Sequence, residues 1–257
     1  VKFRDIGPPN PRKNAATVSV AAPMIRAAFI SLAVSTLAIA GESAIPLFDG
    51  KSLAGWDGDP VYWRVENGCI VGEVTPKTLL ERNSFLIWRG GVVNDFELVV
   101  EYRVSAQGNS GINYRSIETP ELKWSLTGYQ ADIEGGPQWT GQNYEERGRK
   151  FLALRGQSVA MRPEAKPELV NSLGTPEELQ KKVLSEDWNT YRIVAKGNKV
   201  RHFVNGVLMS EIEDLDPAHR RLSGLLGVQV HVGPPMKIEY RKIELRKLRS
   251  EGEGKDQ

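Results

Sequence analysis

The segment DFELVVEYRVS, residues 95–105, decides the fold. Phe96, Leu98, Val100, Tyr102 and Val104 fall on one parity, and Glu97, Glu101 and Arg103 on the other. That alternation is the period of a strand with one face in a core and the other in water. A helix would scatter the same apolar residues around its circumference.

The pattern recurs on both sides of this segment. VYWRVENGCIVGEV (61–74) reads as two short strands joined at Asn67-Gly68, a strong hairpin signal. SFLIWRG (84–90) and SGINYRS (110–116) read as strands, as does TGYQADIEGG (127–136). So do WNTYRIVAKG (188–197), KVRHFVNG (199–206), VLMSEIE (207–213), GLLGVQVHVG (224–233) and MKIEYRKIELRKL (236–248). Gly197-Asn198 and Asn205-Gly206 mark tight turns between them. One helix is expected, over 175–183, with Thr175 as N-cap, Pro176 in the first position and acids in the first turn. GGPQWTGQNYEERGRKFL (135–152) reads as a loop. Many short strands with almost no helix predict an all-β jelly-roll sandwich of two antiparallel sheets.

Residues 24–40, MIRAAFISLAVSTLAIA, have the form of a secretory signal peptide. A basic residue precedes an apolar run, which ends at the small-residue site Ala38-Ile39-Ala40. This reading starts the natural chain at Met24 and treats residues 1–23 as an upstream extension. It predicts one domain over 41–249, a frayed tail at 250–257, and export to the periplasm or beyond, with no membrane anchor after cleavage. The first forty residues carry five basic groups and one acid, so the remainder is slightly acidic despite the net +2 of the whole chain. Charge therefore gives no case for a nucleic-acid partner. With one cysteine, Cys69, no internal disulfide forms and the core must supply the stability. Cys69 lies in an apolar run and reads as a small buried hydrophobe.

G-x-S-x-G, P-loop, H-E-x-x-H and paired-cysteine zinc signatures are absent from the sequence. Polar residues gather instead on strands that should be buried. In TGYQADIEGG, Gln130, Asp132 and Glu134 share a face. Asn109 and Arg115 flank the strand GNSGINYRS, and Gln229 and His231 share a parity in GVQVHVGPP. These polar faces are either solvated or line a trough of the kind that holds sugars. Asp132 and Glu134 are the candidate acid or base, and His231 a base, hydrogen bonder or ligand. Trp139 and Tyr144 are candidates to stack on a sugar ring. Glu145, Glu146 and Arg147 are further candidates on the following loop. No spacing demands a cofactor; an acid–histidine cluster would suit a hard divalent cation, but no metal ligand set is assigned.

In order, PLFDGKSLAGWDG, NDFELVVEYRV, GNSGINYRS, GYQADI, WNTYRIVAKGNKVRHFVNGV and SGLLGVQVHVGPPMKIEYRKIEL resemble the 3-keto-disaccharide hydrolase domain family across nearly all of residues 45–248. The resemblance implies a concanavalin A-like jelly roll, shared in shape with laminarinase-type glycosidases and many lectins. It also implies a carbohydrate substrate oxidised at the sugar C3. The family's polar clusters carry over to Asn109 and Arg115, Gln130 and Asp132, and Gln229 and His231. Tyr129 stands where many members have Glu, and Arg241-Lys242 where many have Arg-Asn. For such a substrate, Asp132 or Glu134 is expected to take the C2 proton. His231 or a loop acid would serve the leaving group, and Arg115 with Gln130 would steady the enolate. The alternatives are a two-carboxylate glycosidase on unoxidised glycan and a non-catalytic carbohydrate-binding module.

Overall fold

The computed structural model describes residues 43–249. The expected leader at 24–40, the segment before it and the tail at 250–257 lie outside the described residues. The chain opens with β1 (Ile45–Pro46), β2 (Trp56–Asp57), β3 (Trp63–Glu66), β4 (Cys69–Val74), β5 (Ser84–Val93) and β6 (Phe96–Val104). Next come β7 (Asn109–Glu118), β8 (Leu126–Glu134), β9 (Asn143–Glu146), β10 (Lys150–Ala153), β11 (Gln157–Arg162) and β12 (Lys166–Ser172). After α1 (Pro176–Gln180) follow β13 (Asn189–Lys196), β14 (Lys199–Val204), β15 (Val207–Asp214), β16 (Gly224–Val230) and β17 (Met236–Lys247).

Two sheets stack face to face as a concanavalin A-like jelly-roll sandwich. One has the order β12-β11-β15-β14-β13-β6-β17-β4-β3, with β1 also on β17; the other is β10-β9-β8-β7-β16-β5-β2. Strand β6 fulfils its sequence pattern, with every odd position buried and every even one half-exposed. Its inward residues join Ile70, Ile112, Tyr129, Ala131, Tyr191 and Val228 in one continuous core. Each large apolar side chain buried there contributes about 1.5–3 kcal/mol. Asn67 and Gly68 both adopt positive φ, 51° and 75°, as a tight hairpin between β3 and β4 requires.

Within the core, His202 ties the sheets together. Its Nδ1 lies 3.1 Å from the Gln142 carbonyl, which makes Nδ1 the donor, and its Nε2 lies 3.0 Å from the Tyr114 hydroxyl. Burial lowers its pKa to about 3, so it is a neutral structural residue that anchors the start of β9.

The structure corrects the expected elements in four places. The segment read as a loop contains the β9–β10 hairpin, and β11 and β12 were not anticipated. The sheets are not wholly antiparallel, because β11 runs parallel to β15 from Ser158–Met161 against Glu211–Asp214. The helix is shorter than expected, although Thr175 caps it by accepting from the Glu178 amide at 3.2 Å. A one-turn hydrophobic face is too small to hold a longer helix on the surface.

Candidate functional site

The site is built on the outer face of β7, β8 and β16, at the centre of the seven-stranded sheet. On β8, Tyr129, Ala131 and Ile133 point into the core. Gln130 and Asp132 point the other way. Register places Asn113 of β7 beside Gln130 and Gly111 beside Asp132. Gly227 of β16 lies beside Asn113, and Tyr144 of β9 flanks Gln130 on its other side. Gly111 has a specific purpose: a Cβ there would lie 2.5 Å from Cδ of Gln130. Its missing side chain lets Gln130 lie flat over β7.

Three side chains connect across that gap. Gln229 Nε2 donates to Gln130 Oε1 at 3.1 Å, and Gln130 Nε2 donates to Asp132 Oδ1 at 2.9 Å. Asn83 Nδ2 lies 3.4 Å from Glu146 Oε1, and Asn83 Oδ1 accepts from the Val232 amide at 2.9 Å. Asn113 and Gln229 are 0% exposed, yet both amide atoms of Asn113 and the Oε1 of Gln229 have no partner within the protein. Buried amides left unpaired by the fold are poised for a ligand's hydroxyls or carbonyl.

Two carboxyls share this face without an ion-pair partner among the described residues. Burial pushes the pKa of Asp132 up to about 8. The Gln130 hydrogen bond opposes that shift, while the nearby Glu146 and Glu134 reinforce it. Burial also raises Glu146, against the opposing charge of Arg147 and hydrogen bonds from Asn83 and Gln229. His231 follows β16 on the parity of Gln229. Its Nδ1 donates to the Val232 carbonyl, which leaves Nε2 as an acceptor, and burial lowers its pKa.

Aromatic residues rim the face. Trp139 stacks on Phe151 with centroids 5.2 Å apart, and Tyr144 meets Phe151 edge-on at 5.1 Å. Glu134 holds this rim in place, because its Oε2 accepts from the backbone N–H groups of Gln138 and Trp139 at 2.8 and 2.9 Å. Arg155 fixes the same loop from below through the carbonyls of Pro137 and Thr140. On the far side Trp124 donates to Asp57 at 2.9 Å.

Three expected site residues are placed elsewhere: Arg115, Glu145 and Arg147, whose Nε donates to the Ser125 hydroxyl at 3.2 Å. Arg115 has a left-handed φ of 46° at the start of a register shift between Tyr114 and Ile117. That irregularity turns its guanidinium away to Asp95 and the carbonyls of Asn94 and Gly197. Glu145 lies opposite Tyr129 and so has core parity; it pairs with Arg149 at 2.7 Å. Asn109 flanks the cluster at the start of β7, opposite Glu134. Asn83, Asn113 and Phe151 were not singled out from sequence. Asn113 shared parity with Asn109 and Gly111, a signal that could have found it. Asn83 and Phe151 carried none. Among the described residues no three His, Cys, Asp or Glu side chains converge as a metal ligand set.

The jelly roll carries a buried carboxyl–amide face with an aromatic rim, and its family match makes it a carbohydrate-active sandwich domain. The chain belongs to the family of the 3-keto-alpha-glucoside-1,2-lyase-like domain, which matches residues 43–246. Among solved structures, it resembles a candidate glycosyl hydrolase from Parabacteroides distasonis ATCC 8503, at 20% identity and a TM-score of 0.54, over 81% of this chain and 95% of that one. A second candidate glycosyl hydrolase from the same organism matches at 19% identity and a TM-score of 0.54, over 80% of this chain and all of its own. These likenesses establish the fold. No curated protein matches the chain.

Proposed function

We propose that this domain cleaves glycosides oxidised at the sugar C3 by removing the C2 proton and eliminating the group at C1. The observation that carries this reading is the pair Asp132 and Glu146, two buried carboxyls on one face with no ion-pair partner among the described residues. Burial raises both, but the charge of Arg147 opposes the rise only at Glu146, and that asymmetry divides the two into base and acid. Glu146, tempered by Arg147, is the base that takes the proton from C2. The C–H electron pair moves into an enolate whose oxygen is stabilised by the unpaired Nδ2 donor of Asn113. The enolate re-forms the ketone, a C1–C2 double bond forms, and the C1–O bond breaks. Asp132, kept protonated near neutral pH by burial, gives its proton to the departing oxygen. Addition of water to the unsaturated product at C1 makes the net result hydrolysis. The neutral His231 supplies a second acceptor at Nε2, and the Trp139–Phe151–Tyr144 rim offers apolar faces to a sugar ring. Glu134 acts by holding that rim. The expected place of action is outside the cytoplasm, on the strength of the apolar leader at 24–40.

The test is to incubate the protein with a 3-keto-glucoside and with its unoxidised parent and to follow aglycone release. Release from the ketone alone supports the proposal. Equal release from the parent makes the protein an ordinary glycosidase. Saturable binding of either without turnover makes it a binding module, the reading that the aromatic rim favours.

A further inference from the structure

A second cleft, of about 470 Å³, opens where the turn between β9 and β10 faces the loop after β15. Arg147 and Arg149 line one side, and His219, Arg220 and Arg221 the other. The acids beneath it are already engaged. Glu145 and Asp214 take the guanidinium of Arg149 at 2.7 and 2.6 Å, and Asp214 also accepts from the Tyr129 hydroxyl. Asp216 accepts from His219 and from the amides of Ala165 and Ala218.

That leaves three cations facing the cleft. Arg147 donates from Nε to the Ser125 hydroxyl at 3.2 Å, and neither it nor Arg220 nor Arg221 has a carboxylate partner among the described residues. Arg221 is held by its backbone, whose N–H donates to Tyr129 and whose carbonyl accepts from Arg115. Its Nε is buried without an acceptor. An unanswered guanidinium N–H in a buried position is costly, and a planar donor fork fits an oxyanion.

The geometry points to an oxyanion-binding site in this cleft, formed by Arg147, Arg220 and Arg221, that takes a phosphate, sulfate or carboxylate group. The oxyanion is either a free ion or a substituent on a saccharide. Arg147 follows directly on Glu146, so a charged substituent here would sit beside the carboxyl–amide face. The site stands whether or not that face carries out the proposed elimination.

Calorimetric titration of the full chain at low ionic strength tests this, with inorganic phosphate, glucuronate and glucose as separate ligands. Saturable binding of phosphate or glucuronate, weakened by added sodium chloride, is expected. The R220Q/R221Q variant should bind about tenfold more weakly or worse, while turnover of an uncharged 3-keto-glucoside is unchanged. R221K, which keeps the charge and the backbone contacts but not the planar fork, should bind between wild type and R220Q/R221Q and controls for folding. Glucuronate bound more tightly than phosphate assigns the site to an acidic saccharide; equal binding assigns it to the free anion. Wild-type protein that binds neither anion at about 10 mM overturns the proposal, as does binding that R220Q/R221Q leaves intact. D132N should keep anion binding while losing turnover, so the two proposals fail separately.

Discussion

Strands β6 and β8 are both nine residues long, both alternate in sequence, and both carry acids on their second face. On β6 that face is wet. Glu101 pairs with Arg241 at 2.6 Å, and Arg103 with Glu239 at 2.8 Å. On β8 the second face is as buried as the first from Gly128 to Ile133, and its acid has an amide for a neighbour instead of a cation. The two strands are nearly indistinguishable by pattern. What separates them is the cover: loops and aromatic residues close over β8, while β6 is left to water. Polar groups sealed in without counter-charges cost stability, and such a cost marks a working surface.

The strongest way to break this contrast is at the carboxyls. D132N and E146Q should each lower turnover of a 3-keto-glucoside by about 10²–10⁴-fold, and E101Q should leave it unchanged. Equal activity in all three would show that burial on β8 is only packing.

Stability against pH comes next. The folded-state pKa of Asp132 is raised from 3.8 to about 8. Between those values the folded chain keeps a proton that the unfolded chain has lost. The stability from this group is therefore complete below pH 3.8 and declines by about 1.4 kcal/mol per pH unit until pH 8. Denaturant melts of wild type and D132N should diverge across that window, with the variant gaining relative to wild type as pH rises. Parallel curves would place Asp132 in water.

A smaller effect is expected from G111A. The new methyl would collide with Gln130, shift the Gln229–Gln130–Asp132 chain and cost about 1–3 kcal/mol, measurable by chemical denaturation. The smallest belongs to the wet face, where E101Q should cost under about 0.5 kcal/mol by the same measurement.

The sandwich was legible because β-strands with one dry face write their period into the sequence, and β6, β14 and β17 do so plainly. The convergence of Gln130, Asp132 and Gln229 on one face of the candidate site was legible for the same reason, because they share parity. Parity failed where the strand is irregular. At Arg115 the left-handed residue and the register shift rotate the side chain out of its expected face. The bulge in β17 between Tyr240 and Lys242 likewise falls on the Arg241-Lys242 pair, which departs from the family pattern. Parity was also unusable in residues 135–152, because a glycine-rich stretch read as loop hid the β9–β10 hairpin and with it the opposite fates of Glu145 and Glu146. Asn83 depends on a contact across 63 positions of chain, which no local pattern encodes.

That hairpin sets a limit on how this protein can vary. Glu145 and Glu146 are adjacent and point to opposite sides of one strand, the first into a buried arginine pair and the second toward the carboxyl–amide face. Inserting a single residue between Asn143 and Glu145 would move Glu145 into the place of Glu146 and carry Glu146 off the site face. Substitutions in β9 can be absorbed one at a time, but changes of length cannot. In an insertion scan this four-residue strand should be the least tolerant stretch of the seven-stranded sheet, although it lies next to an edge.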